Sequence, residues 1–168
     1  MAAYPVRMRA DELWVESYQG EVLGEALFAL MASREPDHAR REQLEALTLL
    51  ERATRELAEP VLARRGIDRG DTDASLATAQ QFADALADTS WEGFLRSLTP
   101  VTAQFLAKYE ELVALCDDAE DRSVAMQYCA HERALASFAH RSLGDEAGEP
   151  LERVFALPHV AAARSAAG

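Results

Sequence analysis

The chain is predicted to be all-α, and three observations carry that reading. Apolar residues recur at the three-and-four spacing of a helix face in each long segment. No run alternates apolar with polar residues, and no Asn-Gly or Asp-Gly hairpin signal occurs. Glycines stand just past two of the periodic segments, at Gly66 and Gly144, where helices commonly stop.

The elements follow in order. Residues 1–10 read as a loosely held arm, because Pro5 blocks an early helix. A first helix is expected from about Asp11 to Ser33, with Asp11 as its cap and Glu12 suited to its first turn. Trp14, Tyr18, Glu21, Glu25, Phe28 and Ala32 share one stripe of it. The break at Ser33–Pro36 is short, so a second helix, Pro36 to Arg65, returns antiparallel. Its apolar face is Leu47, Leu50, Thr54, Leu57, Ala58 and Val61, bordered by Glu51, with a kink expected at Pro60. Turn chemistry over 67–73 leads into an alanine-rich third helix, 74–87. Ser90 is expected to cap a short turn over 91–95, and Pro100 to start a fourth helix ending at Cys116. That helix has the stripe Val101, Phe105, Tyr109, Leu112 and Cys116. The fifth helix, Glu120 to Leu143, has the stripe Val124, Tyr128, His131, Leu135, Phe138 and Ser142, with Glu132 on its flank. A short helix near Leu151–Leu157 ends at Pro158, and the last alanines are read as frayed.

Composition narrows the function. A length of 168 residues fits one domain with a proper core. A net charge of −12 argues against nucleic acid or an anionic membrane surface as partner. No apolar run approaches the roughly 18 residues of a membrane span, and the N-terminus lacks a signal core. Cys116 and Cys129 lack metal spacing and read as free thiols, which fits a reducing cytoplasm. There is no phosphate-cradling glycine loop and no nucleophile elbow.

The chemistry is concentrated in Glu21–Met31, E-V-L-G-E-A-L-F-A-L-M, apolar at eight of eleven positions. A helix apolar nearly all round is buried, and a buried glutamate needs a partner or a ligand. Glu21 and Glu25 lie one turn apart there, with Glu25 deeper in the apolar run. An arginine such as Arg55 is a candidate partner for one of them. Glu51, Tyr128 and His131 are the candidate companions on other helices, and Tyr109 is the best-placed polar group of the fourth.

Segment 124–143, V-A-M-Q-Y-C-A-H-E-R-A-L-A-S-F-A-H-R-S-L, resembles the last helix of small bacterial ferritin-like proteins, and the first two helices resemble their first hairpin. The resemblance spans roughly residues 11–143. It implies a ferritin-like up-down helical bundle, with an extra helix in the crossover connection and a short C-terminal helix. It also implies an inward Glu on two helices and Glu-x-x-His on the other two. Carried onto this chain, the first Glu is Glu21 or Glu25. Glu51 matches a motif Glu, with Thr54 at the His position. His131 matches a motif His, with Tyr128 at the Glu position, and Glu132 is a spare carboxylate. The implied set is therefore reduced: Glu25, Glu51 and His131 holding one metal, with Glu21 and Glu132 in reserve. Iron or manganese suits such donors.

Three functions follow as expectations. The first is a metal-dependent oxidoreductase acting on a small molecule. The second is a metal-free member in which Glu25, His131 and Tyr128 do acid–base work or bind a ligand. The third is a structural helical homodimer.

Overall fold

The structure, a computed structural model, describes residues 3–166. Seven helices and no strand are found among the described residues: α1 (Ala3–Arg34), α2 (His38–Arg65), α3 (Asp73–Ala85), α4 (Trp91–Leu115), α5 (Ala119–Leu143), α6 (Glu152–Phe155) and α7 (Pro158–Ala166). No helix among them is long and apolar enough to cross a membrane.

Capping sets most boundaries. Asp37 accepts from the Arg40 N–H at 2.9 Å and starts α2, two residues later than expected. Asp118 does the same for α5 through the N–H groups of Glu120 and Asp121. Gly66 and Gly144 adopt positive φ (66° and 81°) and close α2 and α5, as the sequence predicts.

Three expectations are corrected. The arm over 1–10 is helical from Ala3, because Pro5 falls in the first turn, where no N–H is needed. Burial of Ala10 and Leu13 and a bidentate Arg9–Glu111 bond to α4 hold it down. The break before Pro100 is absent: Ser90 caps at Gly93 N–H, and α4 runs on through the proline. Pro158 starts a helix instead of ending one, since its fixed φ suits a first helical position.

Residue pairings give the helix directions. Asp11–Arg65 and Glu25–Arg52 run α1 against α2. Arg9–Glu111 and Phe28–Phe94 run α1 against α4. Arg64–Asp121 and Thr54–His131 run α2 against α5. Arg122–Cys116 and Arg133–Glu110 run α5 against α4. The four long helices thus form a ring of antiparallel neighbours, with α3 crossing over on α1 and the α6–α7 pair covering α2 and α5.

The core is divided. One half holds Phe28, Leu47, Phe94, Leu98, Leu135 and Phe138, and the other Trp14, Tyr18, Val61, Tyr109, Leu112 and Tyr128. Buried polar residues lie between them on every long helix: Glu21, Glu51 with Thr54, Thr102, and His131 with Glu132.

Asp121 is a second buried charge, at the far end of the bundle. It is 3% exposed and accepts from Arg64 at 2.7 Å and Arg65 at 3.0 Å. Replacing it with alanine is expected to lower the unfolding free energy by about 2–3 kcal/mol, read in urea melts, because two charge-assisted bonds are lost.

Candidate functional site

The polar layer is built from side chains that helical spacing turns inward. On α2, Glu51 and Thr54 are three residues apart and share a face. On α5, His131 and Glu132 are neighbours, so they reach the layer from adjoining directions. Glu21 comes from α1 and Tyr109 from α4. Glu21 and His131 are 1% exposed, and Glu51 and Glu132 are 5% exposed.

His131 is the hub. Its Nδ1 lies 2.9 Å from Thr54 Oγ1 and 3.5 Å from Glu21 Oε2. Its Nε2 lies 3.4 Å from Glu51 Oε1 and 3.9 Å from Glu132 Oε1. Tyr109 donates to Glu21 Oε1 at 3.2 Å, while Glu21 Oε2 has no hydrogen-bond partner. The Glu51 carboxylate lies against the backbone of α1 at Gly24, where an added Cβ would stand 2.3 Å from Oε2. Only a residue without a side chain leaves room for Glu51 there.

Thr54 fixes the state of the imidazole. Its hydroxyl donates to the Leu50 carbonyl at 2.9 Å. Having one proton, it then accepts from both His131 Nδ1 and His159 Nε2, the latter at 3.0 Å. His131 therefore carries a proton on Nδ1, and its Nε2 is the atom turned to Glu51 and Glu132.

Charge is unbalanced in this layer. Glu21, Glu51 and Glu132 have no arginine or lysine paired with them among the described residues; the only basic partner is His131. Burial raises the Glu21 carboxyl well above its usual range, against the pull of His131. Burial likewise lifts Glu132 to about 8. For His131, burial disfavours the cation, but Glu21 and Glu51 outweigh it and raise its pKa to about 10. Burial, then the negative charge of Glu21, pushes the Tyr109 and Tyr128 hydroxyls up.

The sequence-derived residues are placed unequally. Glu21, Glu51, His131 and Glu132 come together. Glu25 does not, which corrects its assignment as the inward carboxylate. It sits on the outer α1–α2 seam, accepting from Arg52 at 2.7 Å and Arg55 at 3.0 Å. A helix turn carries Glu25 past the interior by about 40° relative to Glu21, and two arginines stand ready on α2. Tyr128 lies beside the layer, edge-on to Trp14 and Tyr109, with its hydroxyl buried and unpartnered. Glu132 is a full member of the cluster and not a partner of Arg133, which binds Glu110 instead. His159 is missed by sequence reasoning. The signal for it is Pro158, which marks a helix start directly before it.

The donor set fits a metal ion. One donor atom each from Glu21, His131 and Glu132 lie within 4.8 Å of one another, with Glu51 beside them. Glu21 Oε2 has a free lone pair, and buried carboxylates without cations suit a divalent ion. Glu21, Glu51, Glu132 and Tyr109 also border a cavity of about 370 Å³ between α1, α3 and α4. Compared with family models, curated proteins and solved structures, the chain matches none.

Proposed function

We propose that the protein is a ferritin-like bundle whose polar layer holds a divalent ion, iron or manganese, and that it serves as a metal-dependent oxidoreductase for a small molecule. The carrying observation is the burial of three carboxylates with a single imidazole and, among the described residues, no paired arginine or lysine. A desolvated group of that charge needs protons or a cation. The antiparallel ring and the crossover through α3 support the ferritin-like reading.

Glu21, Glu51, Glu132 and His131 Nε2 are the ligands. The ion would supply Lewis acidity and one-electron redox chemistry. Thr54 holds the His131 ring in the ligating tautomer, and His159 holds Thr54. Tyr109 steadies Glu21 and stands at the edge of the cavity, where it can hold a proton at its Oη near a bound molecule.

Elemental analysis of protein purified from metal-rich medium tests this. Near-stoichiometric iron or manganese is expected, with at least a tenfold loss of retained metal in Glu21→Gln and His131→Gln. Glu25→Gln should retain the ion fully, because its partners are the outer arginines. Metal content below one-tenth of an equivalent in the wild type would overturn the proposal.

One observation favours a second reading. Glu132, lifted to about 8, is a buried acid that titrates close to neutrality, as a metal-free acid–base residue would. Substoichiometric metal together with saturable binding of a small molecule would select this reading.

A further inference from the structure

The cavity between α1, α3 and α4 has a consistent chemistry. Its walls are apolar, with Leu23 and Leu27 from α1 and Leu98 and Phe105 from α4. Phe82 of α3 and Val101 of α4 also line it, although they are 49% and 44% exposed. Large apolar side chains left in water at a cavity mouth mark an entry for an apolar molecule. Apart from Ser97, whose hydroxyl donates to the Phe94 carbonyl, the polar side chains gather at the floor, where Glu21, Glu51, Glu132 and Tyr109 meet.

The floor selects by charge. Among the described residues, no arginine or lysine lines the cavity. The Tyr109 hydroxyl spends its proton on Glu21, which leaves its oxygen an acceptor. A ligand carboxylate would be desolvated there with no arginine or lysine to meet it, whereas a hydroxyl would meet acceptors. Size narrows the choice further. An apolar cavity of about 150 Å³ suffices for benzene, and this one is about 370 Å³. That is room for two rings or an alkyl chain of similar volume.

We propose that this cavity binds an uncharged, apolar molecule of about two fused rings, oriented with a single hydroxyl on the Glu21–Tyr109–Glu132 floor. The inference rests on the reading of the polar layer as a metal centre only in making this molecule its substrate. The binding itself needs the cavity alone. His159 and α7 cover the opposite side of the layer, so ligand enters through the α1–α4 seam and not from the α2–α5 side.

Binding of 2-naphthol to the full-length protein, followed by its fluorescence, provides the test, with and without chelator. Saturable one-to-one binding is expected, with 2-naphthoate at least tenfold weaker in the chelated protein. Leu27→Trp, which fills the cavity, and Val101→Trp, which narrows its exposed mouth, should each weaken naphthol binding at least tenfold while retained metal stays at the wild-type level. Val101 is exposed, so its variant folds even if Leu27→Trp does not. Absence of saturable naphthol binding, equal binding of naphthoate, or wild-type affinity in both variants would overturn the inference. Metal loss with naphthol binding intact would instead count against the metal centre alone.

Discussion

In the presence of a chelator, the protein should lose stability steadily as pH rises from 6.5 to 8. The sign follows from two raised pKa values. His131 binds its proton more tightly folded, at about 10, than its ordinary 6.5. Its contribution is fully present below 6.5 and is lost as pH climbs toward 10. Glu132 titrates at about 8 instead of 4.5. Its neutral form is the one the fold accepts, so stability declines as pH passes from 4.5 to 8. Between 6.5 and 8 both act in the same direction. Each proton carries about 1.4 kcal/mol per pH unit. One to two protons over that interval remove about 2–4 kcal/mol, or about 5–15 °C in Tm for a chain of this size. Thermal melts by circular dichroism in chelator across pH 5.5–9 measure it. Excess manganese should remove the decline, because metal takes the place of those protons and its binding strengthens as the ligands deprotonate. A melting temperature that is flat across the interval would contradict the charge assignment.

The second large effect is expected at Gly24. The variant Gly24→Ala places a methyl group 2.3 Å from Glu51 Oε2 and 2.6 Å from its carboxyl carbon. The carboxylate must leave its seat, so metal retention should fall at least tenfold. Overpacking costs about 1–3 kcal/mol, partly offset by about 1 kcal/mol from replacing a helical glycine. Gly20, one turn earlier, is the internal comparison. A Cβ there meets Phe105 at 3.6 Å and the Tyr109 hydroxyl at 3.9 Å, ordinary contact distances. Under the proposed metal site, Gly20→Ala should therefore match the wild type in metal retention and gain up to about 1 kcal/mol in a urea melt. Equal metal retention in the two variants would show that Glu51 is not held against α1.

The helices were legible because apolar spacing and caps are local signals. Asp118, Gly66 and Gly144 announce their boundaries within a few residues. Pro5, Pro100 and Pro158 were misread because a proline says where a helix is difficult, while packing decides whether it continues. The site was half legible. Glu21, Glu51, Thr54 and His131 declared themselves as polar residues on apolar stripes. Glu25 carries the same signal as Glu21, and the small rotation between them together with the placement of Arg52 and Arg55 separates them. That placement depends on the register between α1 and α2, which no single helix encodes. The seat made by Gly24 and the reach of His159 are likewise properties of neighbouring helices and not of either segment alone.

The division of the core by a polar layer bears on cooperativity. Neither apolar half owns a complete long helix, since each of the four passes through both. The halves cannot come apart as modules without melting every long helix in mid-course. Backbone continuity, and not side-chain packing across the layer, is what makes them one unfolding unit. The protein can thus keep its least hydrophobic level at mid-height and still unfold as a whole.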